Sequence, residues 1–208
     1  MDNDVKKEVL FAIPLYSKIL PKYFENRKQI LDRIQTLVRE EAAENSKNNY
    51  RSCEQLHLDD NKYTRWLMQR LANIAAGCIK EHNSDSMINH EVHLLSSWVN
   101  IHPQGVWTKP HTNSQFDWSG VFYAQVSENS NKENGLIFLN PFPHKQKWAS
   151  KTKISIDAVD GLMVLFPSHV THIVPPHKDS ISRVSISFNL RLLPCSPIPS
   201  LIGDPEAV

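Results

Sequence analysis

The sequence predicts an α+β fold in which a jelly-roll-like double-stranded β-helix is braced by N-terminal helices. Three observations carry this. Two stretches before Asn83 have the apolar spacing of amphipathic helices, while from Glu91 onward the chain breaks into short β-type runs parted by turn chemistry. Helices and strands are also grouped, without the strand–helix alternation of a parallel sheet. At 208 residues the chain fits one domain, read as a mainly helical support over 1–89, a double-stranded β-helix over 90–193 and a proline-rich tail over 194–208.

The first β-capable run, residues 9–16, is interrupted by Pro14 and suits an edge strand, because proline cannot donate to a ladder on both sides. Over 25–44 apolar residues fall at Ile30, Leu31, Ile34, Leu37 and Val38, one stripe of a helix with charges on the other face. A polar loop follows over 45–60. A second helix is expected to start at Asp59 or Asp60, either of which can cap it, and to run to Glu81, burying Trp66, Leu67, Leu71, Ile74, Ala75, Cys78 and Ile79. After a polar linker at 83–89, strands are expected at 91–101, 119–125, 136–139, 153–157, 162–166, 172–174 and 183–192. The intervening HPQG, SENSNKENG, NPFPHKQ, AVDG and PPHKDS segments are turn-formers.

Composition narrows the function. Lys+Arg 23 against Asp+Glu 22 gives a formal charge of +1, so no bulk electrostatic attraction to nucleic acid or an anionic membrane is present, and a small-molecule substrate is the expected partner. Cys53, Cys78 and Cys195 are odd in number and share no CxxC spacing, which suits reduced thiols in a cytoplasmic protein. The N-terminal apolar run is short and broken by Pro14, and no stretch nears the roughly 18 apolar residues of a membrane span.

The chemistry is expected where distant strand ends meet at the mouth of the roll. His111 precedes one strand and His172 begins another, and two imidazoles on one triangular face are what a non-haem iron centre requires. Along RVSISFNL, period-two alternation puts Arg183, Ser185, Ser187 and Asn189 on one face and Val184, Ile186, Phe188 and Leu190 on the other. The apolar face must meet the helices, so the arginine lines the interior. Burying a guanidinium is costly without an anion, and a dicarboxylate ligand is the natural partner.

The run SSWVN…KPHTN…WSGVFY…GLIF…NP…GLMVLFPSHVTHIVPP…RVSISFN, from about Trp98 to Leu190, resembles the 2-oxoglutarate- and Fe(II)-dependent oxygenases. Within them it is similar to a family with an HxH- or HxN-type motif before SGVYY and an FPS…H…RxSxxFN ending. The resemblance implies Fe(II) and 2-oxoglutarate as cofactors, with His111, Asn113 and His172 on the metal. It makes Arg183 the clamp on the far carboxylate of the keto acid, assisted by the Ser185 hydroxyl and the Tyr123 phenol. The implied reaction oxidises, most often hydroxylates, a small-molecule or amino-acid-like substrate and releases succinate and CO₂.

Asn113 departs from the usual pattern, in which that position is an acid. An amide oxygen is a neutral, weaker ligand, and Asp117 is an alternative acid on the same side of an extended stretch. His169 competes with His172, but the two are three residues apart and face opposite ways on a strand. Trp98, Asn100, Trp107, Trp118 and Trp148 offer aromatic and amide groups near the mouth, chiefly as core packing. The loop 127–134 is polar and expected to be mobile, and the segment from Asn140 is a candidate lid, with His144 and Lys145 as candidate contacts to an anionic substrate. Two other readings stand beside the oxygenase: a roll retained for binding without the chemistry, favoured by Asn113, and a cupin-like oxygen enzyme that uses no keto acid, for which Arg183 has no task.

Overall fold

The architecture follows from which face of each strand is apolar. In the computed structural model, which describes residues 12–45, 55–82, 90–127, 134–141 and 152–195, the order is β1 (Tyr16–Ile19), α1 (Tyr23–Asn45), α2 (Lys62–His82), β2 (His90–His102), β3 (Thr108–His111), β4 (Trp118–Gln125), β5 (Ile137–Leu139), β6 (Lys153–Ser155), β7 (Leu162–Pro167), β8 (His172–Val174) and β9 (Arg183–Pro194). The strands form a five-stranded sheet, β1-β7-β4-β9-β2, and a four-stranded sheet, β3-β8-β5-β6, with every pairing antiparallel. From β2 on the chain crosses repeatedly between the two sheets. That is the winding of a jelly-roll double-stranded β-helix, as the alternating runs predict.

Both helices cover the outer face of the large sheet. Ile30, Ile34, Leu67, Leu71 and Ile79 share one apolar cluster with Val184, Ile186, Phe188 and Leu190 of β9 and with Phe122 of β4. Each such buried side chain stabilises the fold by about 1.5–3 kcal/mol. The opposite faces of the same strands turn inward: Val121, Tyr123 and Val164 join Leu136, Phe138 and Phe166 in a second cluster between the sheets. Tyr23 fixes the start of α1 by donating its hydroxyl to the Ala124 carbonyl on β4 at 2.5 Å.

The boundaries show where tertiary contacts decide. α2 begins at Lys62 and is capped by Asn61, whose Oδ1 accepts the Tyr63 N–H at 2.9 Å, instead of by Asp59 or Asp60. Asp59 is claimed by Arg33 of α1 (2.7 Å) and by the Thr64 hydroxyl, and Asp60 by Arg65 (2.7 Å). The edge strand lies at Tyr16–Ile19, after Pro14, and not over 9–16, of which residues 9–11 lie outside the described part. β3 was not expected as a strand, since His111 reads only as preceding one; Pro110 is tolerated in it because β3 forms an edge of the small sheet. The linker at 83–89, most of the loops 45–60 and 127–134, the lid segment beyond Pro141 with His144, Lys145 and Trp148, and the tail beyond Cys195 lie outside the described residues.

Gly120 marks the tightest point of the large sheet. It pairs with Phe188, and a Cβ added to it would lie 2.1 Å from that ring, which is wholly buried. Gly120→Ala should therefore displace Phe188 and lower stability by about 1–3 kcal/mol in urea denaturation. An unchanged midpoint would show that the β9–helix packing is looser than described.

Candidate metal centre and carboxylate site

Strand pairing brings the two singled-out histidines together. His111 and His172 are register partners on β3 and β8, with ring centroids 4.2 Å apart. Each Nδ1 lies beside the carbonyl two residues earlier, Lys109 at 2.9 Å for His111 and Val170 at 3.0 Å for His172. A carbonyl only accepts, so each Nδ1 carries the hydrogen and each Nε2 keeps a lone pair, the tautomer a metal ligand needs. His172 is 3% exposed and packed by Phe166. Burial, reinforced by His111 and opposed by the Val170 carbonyl, pushes its pKa down to about 4, so the imidazole is neutral at physiological pH.

Asn113 lines the same cavity of about 310 Å³. Its backbone N–H donates to the Ser168 carbonyl at 2.9 Å and its Nδ2 to Ser119 Oγ at 3.1 Å. Ser119 in turn donates to Asn189 Oδ1 at 2.7 Å, and Asn189 Nδ2 donates to Ser96 Oγ at 3.2 Å. This buried chain holds the amide with Oδ1 as its remaining acceptor. The other candidates lie elsewhere. Asp117 accepts the Leu192 N–H at 2.7 Å and, with His169, lines a separate hollow. No group of three or more His, Cys, Asp or Glu side chains able to hold a metal occurs among the described residues, so an amide is what stands beside the two imidazoles.

The candidate carboxylate site lies on the inward face of β9. Arg183 is 2% exposed; its Nη1 donates to the Asn134 carbonyl and its Nη2 to that of Pro175 at 3.2 Å, while its buried Nε has no partner. Burial works against its charge, yet a guanidinium does not deprotonate in a protein, so a cation is held here on neutral carbonyls alone. The buried Tyr123 hydroxyl also lacks a partner at hydrogen-bonding geometry, although the nearby Leu136 main chain favours its charged form. Burial nevertheless raises the phenol far above its usual value, which keeps it an O–H donor. Ser185 sits between these groups in register, opposite Tyr123 on β4 and Asn100 on β2. Two orphaned donors, one of them on a cation with no acid partner, fit a carboxylate, and two neutral imidazoles with an amide oxygen fit a divalent metal.

Sequence reading passed over His102, which lay in the HPQG turn segment. It is the register partner of Arg183, lies in the cavity wall with Nε2 3.0 Å from Thr108 Oγ1, and leaves a buried Nδ1 without a partner. The signal was available, since Trp98, Asn100 and His102 alternate along β2. Trp98 donates to Asn100 at 3.0 Å, Asn100 donates to Ser187 at 3.0 Å, and Trp107 stands exposed at the cavity rim. Trp118 instead packs in the helix-side core, against Tyr16.

His102 makes stability pH-dependent. Burial, then Arg183 and His177, lower its pKa from 6.5 to about 4. A depressed histidine pKa means the unfolded chain binds the extra proton first, so stability is full above pH 6.5 and falls as pH drops toward 4. The loss from this residue should be on the order of 3 kcal/mol in the metal-free protein. His102→Gln should flatten that part of a pH–stability curve; a curve as steep as the wild type would assign the effect to other groups.

Comparison with known proteins gives one family match and a set of fold neighbours. Residues 96–189, just under half of the chain, match the family model described as "Putative 2OG-Fe(II) oxygenase". Among solved structures the chain is similar to a Pseudomonas putida prolyl-4-hydroxylase (16% identity, covering 85% of this chain and 87% of that one, TM-score 0.55). It is similar to AviO1 from Streptomyces viridochromogenes Tue57 (11%, 88% and 90%, TM-score 0.60). It is also similar to the epimerase SnoN, solved in complex with Fe³⁺, alpha-ketoglutarate and nogalamycin RO (12%, 92% and 88%, TM-score 0.57). At these identities the structural likeness is one of fold. No curated protein matches the chain significantly. The matched stretch contains His102, His111, Asn113, Tyr123, His172, Arg183 and Ser185, so the similarity to the family described as putative 2OG-Fe(II) oxygenases spans every candidate site residue.

Proposed function

We propose that this protein couples oxidative decarboxylation of 2-oxoglutarate to hydroxylation of a small-molecule or amino-acid-like substrate, releasing succinate and CO₂, and that residues 1–208 act as one oxygenase domain. The observation that carries the reading is the pairing, in one roll, of two imidazoles with open Nε2 atoms and a buried guanidinium with an unsatisfied Nε. In this reading His111, His172 and Asn113 hold the iron, and Arg183, Ser185 and Tyr123 hold the far carboxylate of the keto acid. The fold neighbour SnoN, solved with Fe³⁺ and alpha-ketoglutarate, supports the same pair of ligands.

When bound, iron with the keto acid and O₂ supplies the oxidising chemistry. The chain's own residues supply order. The Lys109 and Val170 carbonyls hold the two imidazoles in the ligand tautomer, and the Ser119 hydroxyl holds the Asn113 amide. Phe138 and Phe166 wall the buried side of His172 and exclude water there. Arg183 neutralises the distal carboxylate, and Tyr123 donates its O–H to it. A second reading, a roll kept for binding without oxygen chemistry, is favoured by the amide at position 113 alone.

Purified protein reconstituted with iron in the absence of oxygen separates the two. The oxygenase reading expects stoichiometric metal, and succinate and CO₂ from 2-oxoglutarate once oxygen is admitted. Arg183→Ala should weaken 2-oxoglutarate binding by about 2–5 kcal/mol, the usual consequence of removing one partner of a buried charge pair. Absence of both metal and keto-acid binding in the wild type, or equal keto-acid binding in the variant, would sink the proposal.

A further inference from the structure

The donors beside the metal position carry no charge. His111 and His172 spend their Nδ1 hydrogens on carbonyls and offer neutral lone pairs, and Asn113, with Nδ2 committed to Ser119 at 3.1 Å, offers only an amide oxygen. Asp117, the acid nearest in sequence, spends its Oδ2 on the Leu192 N–H at 2.7 Å. The charged group that this inward face does present is itself a cation, Arg183, held on carbonyls and 2% exposed.

This arrangement has an electrostatic consequence. A divalent ion bound by neutral ligands keeps its full charge, and it must do so in a roll whose inward face already carries a buried guanidinium. Two cations facing the inside of one roll repel, and neither relieves the desolvation of the other. A carboxylate ligand would cancel part of the metal's charge before any cofactor arrived; Asn113 cancels none. A keto-acid dianion changes this in one step, because one end can meet the metal and the other Arg183.

We propose that metal and 2-oxoglutarate load as a pair, because the neutral Asn113 and the unpaired Arg183 make the keto acid the anion that the metal site lacks. The inference rests on the oxygenase reading and adds a regulatory property to it: metal is retained only while the keto acid is present. Linkage makes the effect reciprocal, so the metal tightens 2-oxoglutarate by the same factor that 2-oxoglutarate tightens the metal.

Mn²⁺ titrations read by electron paramagnetic resonance, which counts the free ion, test this on the full chain without turnover. With 2-oxoglutarate the wild type should bind Mn²⁺ on the order of a hundredfold more tightly than without it. Glutarate, which reaches Arg183 but has no keto group for the metal, should give less than about a tenfold effect. Asn113→Asp should bind Mn²⁺ at least about tenfold more tightly without keto acid, with the coupling reduced to match. If that variant does not fold, the wild-type and glutarate titrations decide alone. Wild-type coupling below about threefold, with both ligands bound, overturns the inference and leaves the oxygenase reading standing. No binding of Mn²⁺ or of 2-oxoglutarate under any condition overturns the reading on which it rests.

Discussion

A buried guanidinium without an acid is the constraint on which the rest of this structure depends. Arg183 is 2% exposed, its two terminal nitrogens are held by main-chain carbonyls, and its Nε is unpaired. Carbonyl dipoles offset part of the cost of taking that charge out of water, but an uncompensated buried charge typically costs several kcal/mol. The fold tolerates it because β9 is anchored on its other face. Val184, Ile186, Phe188 and Leu190 are packed against both helices, so Arg183 cannot turn outward without pulling an apolar ladder out of the core. The helices thus determine where the cation points although they touch none of the chemistry.

The same two-sidedness builds the other half of the site. β3 and β8 belong to the small sheet, and their pairing sets His111 against His172, while the large sheet supplies Ser119 and Asn189 to hold Asn113. The candidate metal ligands and the candidate carboxylate anchor therefore come from both sheets of one roll. A polar chain from Asn113 to Ser96 runs through the buried seam. Beyond the open Asn113 Oδ1 its members bond one another, which explains how so many hydroxyl and amide groups are tolerated inside a core.

Most of this was legible in the sequence where one periodicity dominated. The β9 segment alternates so cleanly that its inward and outward faces could be assigned residue by residue, and the α1 stripe fixed that helix to within two residues at its start and one at its end. Legibility failed where several residues compete for one role. Asp59, Asp60 and Asn61 are all good caps, and the choice was made by Arg33 and Arg65, which take the two acids and leave the amide. It failed again where proline or turn-forming letters lie in extended chain: Pro110 interrupts any strand pattern over β3, and the HPQG segment hides His102 as the last residue of β2. Asn113 was legible as a departure, but its fixed orientation was not, because the Ser119 hydroxyl that holds it is itself set by Asn189, seventy residues further along the chain.

The central claim is that the unpaired Arg183 and the His111–His172 pair serve two ends of one molecule. An anaerobic crystal structure of the protein with Mn²⁺ and 2-oxoglutarate tests it most directly. The account predicts both imidazoles on the metal through Nε2, the distal carboxylate against Arg183 Nε and the Tyr123 hydroxyl, and the keto acid spanning the two sites. Metal on these histidines with the keto acid bound away from Arg183, or metal held elsewhere in the chain, would contradict it.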